Sequence, residues 1–275
     1  MSITNMMVNP LKREHLDKIK DINASYFTLN LEDAIAKSRK KEALNNIVQF
    51  LSKKSSINRK IIVRINPLDN GGVEEIKALN NLDFFAIRVA KVKSRSEIEK
   101  ALKLIRDDKE IHISLETKEA FYNIQNLRVD KRFTTANLGI LDLLNSFKLP
   151  QSILSIDNPT IEYILSKFLL DCQSVDILPV SFMYQDYKNI EEFEAWCKKE
   201  KLMGFRAKAC LGPKQVEIAN KIFMLENRDI NRAKEIVAFF EANSKNGENG
   251  VMHSEYGFID EPIYKDALLT LKSIK

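Results

Sequence analysis

Short apolar runs recur along the chain, and most are followed by a longer stretch with apolar residues three or four positions apart. The first pattern is that of buried strands and the second that of amphipathic helices, so their alternation predicts βα units and a parallel sheet. Strands are expected at 6–8, 26–31, 61–65, 84–89, 111–115, 133–138, 175–180 and 204–209, the first of them the weakest. Eight such strands match a closed (β/α)8 TIM barrel. Helices are expected over 31–51, 94–106, 160–172 and 190–201. The second opens on Ser94-Arg95-Ser96-Glu97, a helix-start signature.

After about Asn220 the alternation stops. Residues 228–243 read as one amphipathic helix, Asn246-Gly247-Glu248-Asn249-Gly250 as a polar turn, and 263–274 as a final helix. This tail is too small to fold alone. The expectation is a barrel over 1–225 and a helical C-terminal arm or lid over 226–275, suited to packing on a neighbouring subunit.

Composition narrows the class. Hydrophobic residues make up 44% of the 275 and charged residues 29%, an ordinary globular balance. The net charge is +5, but Lys and Arg alternate with Asp and Glu along helical stretches. That pattern marks solvated helix faces, so no nucleic-acid partner is expected. The three cysteines, Cys172, Cys197 and Cys210, form no Cys-x-x-Cys pair, so reduced thiols are expected rather than a zinc site. Met1 to Leu11 lacks a signal-peptide apolar run, and no run is long enough to span a bilayer. A cytoplasmic protein without a membrane partner is the reading. Only eight glycines are present, so Asn and Lys are expected to take some of the turns.

Candidate chemistry gathers at strand ends. Glu116 closes Ile111-His112-Ile113-Ser114-Leu115-Glu116, and Asp142 follows the strand ending near Gly139. In barrel enzymes the C-terminal strand ends carry the reacting groups. Two carboxylates there can hold a hard divalent cation, Mg2+ first, although Asp142 can also serve to cap the next helix. Arg64 ends the apolar run Ile61-Ile62-Val63-Arg64. A guanidinium there either pairs with a carboxylate of the fold or awaits a carboxylate ligand. Asn66 and Pro67 then turn the chain. Glu32 and Asp33 stand at a strand end that is also a helix start, where they either cap the helix or support the metal and its waters. His112 reads as structural. No Ser-His-Asp, Cys-His or Gly-rich phosphate motif is present.

The ordered segments Asn30-Leu31-Glu32-Asp33-Ala34, Val63-Arg64-Ile65-Asn66-Pro67, Lys91-Val92, Leu115-Glu116-Thr117, Gly139-Ile140-Leu141-Asp142-Leu143, Gly204-Phe205-Arg206-Ala207-Lys208, Gly212-Pro213-Lys214-Gln215 and Phe258-Ile259-Asp260-Glu261-Pro262 resemble the citrate lyase β-subunit-like (CitE-like) family of Mg2+-dependent barrel aldolases and lyases. The resemblance runs from about Pro10 to Ala267. It implies a homotrimer or hexamer that cleaves or forms a carbon–carbon bond in a 3-hydroxyacyl thioester of coenzyme A or an acyl carrier, with a 2-oxo acid and an acetyl-thioester as the fragments. Carried over, Glu116 and Asp142 match the Mg2+ ligands and Arg64 the arginine that grips the oxo-acid carboxylate. Asp260 matches an acid/base that one subunit's tail delivers to the next subunit's site. Glu32, Asp33, Asn66 and Lys91 fall in the surrounding shell, and Arg13 falls near the coenzyme contacts.

Four motifs depart from the family pattern. Asn30 stands for Asp, Ala90-Lys91-Val92-Lys93 for Pro-Lys-Val-Glu, Ala207 for Gly, and Leu211-Gly212-Pro213 for Ile-His-Pro. These changes bear on substrate and thioester recognition. They leave open an altered barrel with a binding or regulatory role.

Overall fold

A computed structural model describes residues 3–53, 59–244 and 249–272. The chain divides into two compact units, 3–222 and 223–275.

The first unit is a barrel. Its strands are β1 (Ile3–Val8), β2 (Tyr26–Asn30), β3 (Lys60–Ile65), β4 (Ala86–Val89), β5 (Glu110–Leu115), β6 (Phe133–Leu138), β7 (Leu178–Val180) and β8 (Ala207–Cys210). All pair in parallel, in the order β7-β6-β5-β4-β3-β2-β1-β8. The two ends meet at one residue. Ser181 bridges Lys208, its N–H donating to the Ala207 carbonyl at 3.0 Å and its carbonyl accepting from the Ala209 N–H at 3.1 Å. The seam is therefore far narrower than any other strand pair. The eight-stranded barrel is the expected fold, and the weak first strand is real and longer than its apolar pattern implied.

The helices are α1 (Arg13–Asp17), α2 (Lys40–Ser52), α3 (Val73–Leu79), α4 (Arg95–Leu104), α5 (Lys118–Leu127), α6 (Ile140–Ser146), α7 (Pro159–Gln173), α8 (Ile190–Met203), α9 (Pro213–Phe223), α10 (Asn227–Asn243) and α11 (Glu261–Lys272). Ser94 and Glu97 form a reciprocal capping box at the start of α4, which accounts for the helix-start signature. The helix expected over 31–51 is shorter. Residues 31–36 are a loop, Lys37–Arg39 a 3-10 turn, and α2 begins only at Lys40. The loop that displaces the helix carries Glu32 and Asp33.

Outward-facing strand residues such as Phe27, Leu29, Ile61 and Val63 are fully buried, as are Ile47, Ile76 and Ile98 on the helices. Burying each such side chain contributes roughly 1.5–3 kcal/mol. The barrel interior is more polar. Thr28 Oγ1 donates to Asn5 Oδ1 at 2.7 Å, Asn5 Nδ2 to Asn137 Oδ1 at 3.0 Å, and Arg88 Nε to Ser114 Oγ at 2.8 Å. Barrel interiors are usually filled with branched apolar side chains, so this row departs from the usual packing directly beneath the mouth. His112 is buried, its Nε2 3.3 Å from Glu110 Oε2, in keeping with a structural role. The three cysteines are free and buried.

The second unit joins α10 and α11 through an antiparallel hairpin, β9 (Gly250–His253) and β10 (Gly257–Asp260). Ala233, Ile236, Phe240, Ile259 and Ala267 form its core. The hairpin was not expected. Its strands are four residues long and mostly half exposed, so no alternation marks them. Most of the expected polar turn, and residues 273–274 of the last expected helix, lie outside the described residues. Among the described residues no helix is long and apolar enough to cross a membrane.

Candidate active site

The site forms where β2 to β6 end. The pairing of β3 with β4 sets Arg64 beside Arg88, both turned inward. The loop after β2 brings in Glu32 and the turn after β4 brings in Lys91. β5 delivers Glu116, and the short link from β6 to α6 delivers Gly139 and Asp142.

Arg64 holds two acids. Its Nη2 lies 2.8 Å from Glu32 Oε2 and 3.1 Å from Glu116 Oε2. Both carboxylates are almost fully buried. Lys91 Nζ completes the row, 2.9 Å from Glu32 Oε1 and 3.0 Å from Asp33 Oδ1. Of the two readings of Arg64, pairing with carboxylates of the fold is the one seen.

Two backbone features aim Glu116. Lys91 adopts a left-handed φ of 53°, uncommon for a residue with a side chain and often found at functional turns. In that conformation its N–H donates to Glu116 Oε1 at 2.8 Å. On the other side, a Cβ added at Gly139 would stand 2.7 Å from Glu116 Oε2 and 2.8 Å from Glu116 Cβ. Only glycine lets β6 pass so close to the carboxylate.

Electrostatics follow the packing. Burial pushes the Glu116 carboxyl up, against the pull of the Arg64 and Arg88 charges. Burial also works to raise Asp33, but its hydrogen bonds with Glu32 and Lys91 hold it below the usual carboxylate range. For Lys91 partial burial works downward, and its bonds to Glu32 and Asp33 outweigh that and raise it.

Asp142 sits in the first turn of α6, half buried. Among the described residues its carboxylate has no hydrogen bond or ion pair. It borders the same small cavity, about 110 Å3, as Glu116, Arg64 and Arg88. The two carboxylates also border an outer cleft of about 630 Å3, with Lys91, Lys93 and Asp69 on its walls. Lys93, in the place of an acid of the family pattern, is exposed there, and its N–H donates to Glu97.

Asn66 supports the loops: its N–H and Nδ2 donate to Glu75 at 2.8 and 2.5 Å, and Nδ2 also to the Leu31 carbonyl at 3.0 Å. Its Oδ1 accepts from Lys40. Arg13 is exposed and borders a separate cleft of about 550 Å3 with Pro10, Lys20, Phe50 and Lys53. Asp260 ends β10 in the second unit, where its Oδ1 accepts the Ile263 N–H at 3.3 Å and caps α11. Sequence reasoning missed Arg88 and the tight approach at Gly139. The signal for Arg88 was present: a lone arginine inside Ala86-Ile87-Arg88-Val89 is the same anomaly that drew attention to Arg64.

Residues 6–213 match the model of the HpcH/HpaI aldolase/citrate lyase family. The chain belongs to that family. The expectation of a lyase-type barrel enzyme of the CitE-like kind therefore holds. Among relatives of this HpcH/HpaI chain, a (3S)-malyl-CoA thioesterase of Cereibacter sphaeroides is 26% identical, covering 86% of this chain and 82% of its own. A citrate lyase subunit beta of Leuconostoc mesenteroides is 24% identical, covering 90% and 85%. A solved citrate lyase from Burkholderia xenovorans has the same fold, with a TM-score of 0.86 at 14% identity over 99% of this chain and 91% of its own. The CitE protein of Mycobacterium tuberculosis, solved with magnesium, acetoacetate and coenzyme A, superposes with a TM-score of 0.77 at 16% identity, over 98% and 97%.

Proposed function

We propose that this chain is a Mg2+-dependent carbon–carbon lyase acting on a 3-hydroxyacyl thioester of the coenzyme A type, with a 2-oxo acid as one product. The observation that carries this reading is the convergence of Glu116 and Asp142 on one small cavity, with Glu116 locked by Arg64, the Lys91 amide and the close pass of Gly139. The donor set fits the ion. Both groups are hard oxygen donors, and Asp142 has no other partner among the described residues. No cluster of three or more His, Cys, Asp or Glu side chains able to hold a metal occurs among those residues. One or two carboxylates completed by water and substrate oxygens is the usual arrangement for Mg2+. The ion would supply Lewis-acid stabilisation of oxyanion charge.

In the cleavage direction the C2–C3 bond of the hydroxyacyl thioester breaks. The 3-hydroxyl loses its proton and becomes the carbonyl of the oxo acid. The bonding pair passes to the thioester α-carbon as an enolate, which then takes up a proton. Asp260 is the proposed donor of that proton, and in the reverse direction its carboxylate removes one from the acetyl-thioester. Supplied from the C-terminal unit of a neighbouring subunit, such a group also shields the enolate from water. Arg64 and Lys91 hold Glu32, Asp33 and Glu116 in place. Arg13, on its separate cleft, is the proposed coenzyme contact.

A second reading rests on the thioesterase relative. In it, water attacks the thioester carbonyl and frees the hydroxy acid and the thiol. Incubation with malyl-CoA and with citryl-CoA in Mg2+ separates the two: glyoxylate or oxaloacetate with acetyl-CoA supports the lyase, malate or citrate with free CoA supports hydrolysis. Neither product, with an unchanged Mg2+ affinity in Glu116→Gln, sinks the proposal. Turnover abolished by Asp260→Asn would exclude a purely binding role.

A further inference from the structure

Arg64 and Arg88 are neighbours in register on β3 and β4, and both border the small cavity with Glu116 and Asp142. Their circumstances differ. Arg64 is matched by two carboxylates, at 2.8 and 3.1 Å. Arg88 is equally buried, with 6% of its surface exposed, yet it makes no ion pair within 4.0 Å among the described residues. Among the described residues its only side-chain hydrogen bond is Nε to the neutral Ser114 Oγ at 2.8 Å. The charges of Glu116 and Glu32 act on it from a distance without touching it; a buried guanidinium with no direct ion pair is costly and is the arrangement expected of a group that waits for an anion. Its planar fork suits a carboxylate.

We infer that Arg88 is a specificity-determining residue that receives the second carboxylate of a 2-oxo dicarboxylic acid. This rests on the proposed function, in which Glu116 and Asp142 would hold the Mg2+ of a lyase that releases a 2-oxo acid. It adds that the acid carries a further carboxylate at the far end of its short chain. Charge supports it. Glu32, Asp33, Glu116 and Asp142 outnumber Arg64, Arg88 and Lys91 when no metal is bound. A divalent cation turns the balance positive, and Arg88 is the member of that cationic group with no direct ion pair among the described residues. A second acidic group on the substrate matches it, whereas the methyl of a monocarboxylic 2-oxo acid leaves it buried and unpaired.

The test is calorimetric titration of the full chain, in Mg2+, with oxaloacetate and with pyruvate, which differ by the one carboxylate. Wild-type protein is expected to bind oxaloacetate about tenfold or more tightly than pyruvate. Arg88→Gln is expected to bring that ratio to about one while pyruvate binding stays within about twofold, which also shows that the site remains folded. Arg88→Lys, which keeps the charge without the fork, should keep part of the preference and serves if Arg88→Gln does not fold. Equal binding of the two acids by wild type, or a preference that survives in Arg88→Gln, overturns the assignment alone. Failure to bind either acid overturns the proposed function and the assignment with it.

Discussion

At the scale of single residues the site depends on how Glu116 is held. Gly139→Ala would push a methyl against the carboxylate. We expect a loss of about 1–3 kcal/mol in stability, as for other overpacked positions, and lower Mg2+ affinity as Glu116 is displaced. Thermal unfolding and metal titration measure the two effects separately. Glu116→Gln should weaken Mg2+ binding by more than about 100-fold, beyond the 10–100-fold typical of groups that merely orient a ligand. Acidity offers another handle. The Glu116 carboxyl is raised by burial, and metal binding needs its ionised form. Affinity should therefore begin to fall at a pH above the ordinary glutamate range, by up to tenfold per unit further down. For metal-free protein the sign is opposite. A carboxyl raised in the folded state holds its proton longer than in the unfolded chain. Its contribution to stability is present below the unfolded pKa and lost as pH rises through the folded one. Melting temperatures in chelator should show Glu116→Gln gaining on wild type as pH rises across that window.

Among elements, the strands were legible because a parallel sheet covered on both faces reads as continuous apolar runs. Their order around the barrel follows from sequential βα winding. Boundaries failed where function intervened. The loop at 31–36 replaces the first turns of an expected helix because Glu32 must turn back onto Arg64. The hairpin of the second unit was illegible because four-residue, half-exposed strands have too little alternation to detect. Arg88 was legible by the same anomaly as Arg64, a lone arginine in an apolar strand, but only the β3–β4 register shows that the two face one cavity. The α8–β8 contact was equally hidden. Lys208 Nζ lies 2.6 Å from Glu200 Oε1, both fully buried, and 4.1 Å from the Phe182 ring centroid. Lys208→Met alone strands a buried carboxylate and should cost about 3–5 kcal/mol. Pairing it with Glu200→Leu should recover most of that, as chemical denaturation of the three proteins would show.

For the whole molecule, the question is what completes the site. If the C-terminal unit of one subunit serves another's barrel, Glu116→Gln and Asp260→Asn should each be inactive alone. After denaturation and co-refolding they should regain part of the wild-type rate, because a mixed assembly pairs an intact barrel with an intact arm. No recovery would overturn the assignment of Asp260 to a neighbouring subunit's site. The general family was readable in the ordered motifs. The identity of the acid was not, because it depends on Arg88, which those motifs do not include.

The single bridge at Ser181 has a kinetic consequence. Every other neighbouring pair in the barrel shares several rungs, whereas β7 and β8 are joined by Ser181 alone. Local opening requires the fewest broken bonds there. In deuterated water the amides of Ser181 and Ala209 should exchange well before those of Ile62 or Ile113 in the middle strands. The same joint is the natural place to re-cut the chain, with new termini in the loop after Tyr184, without dividing the strands that hold Arg64, Arg88 and Glu116.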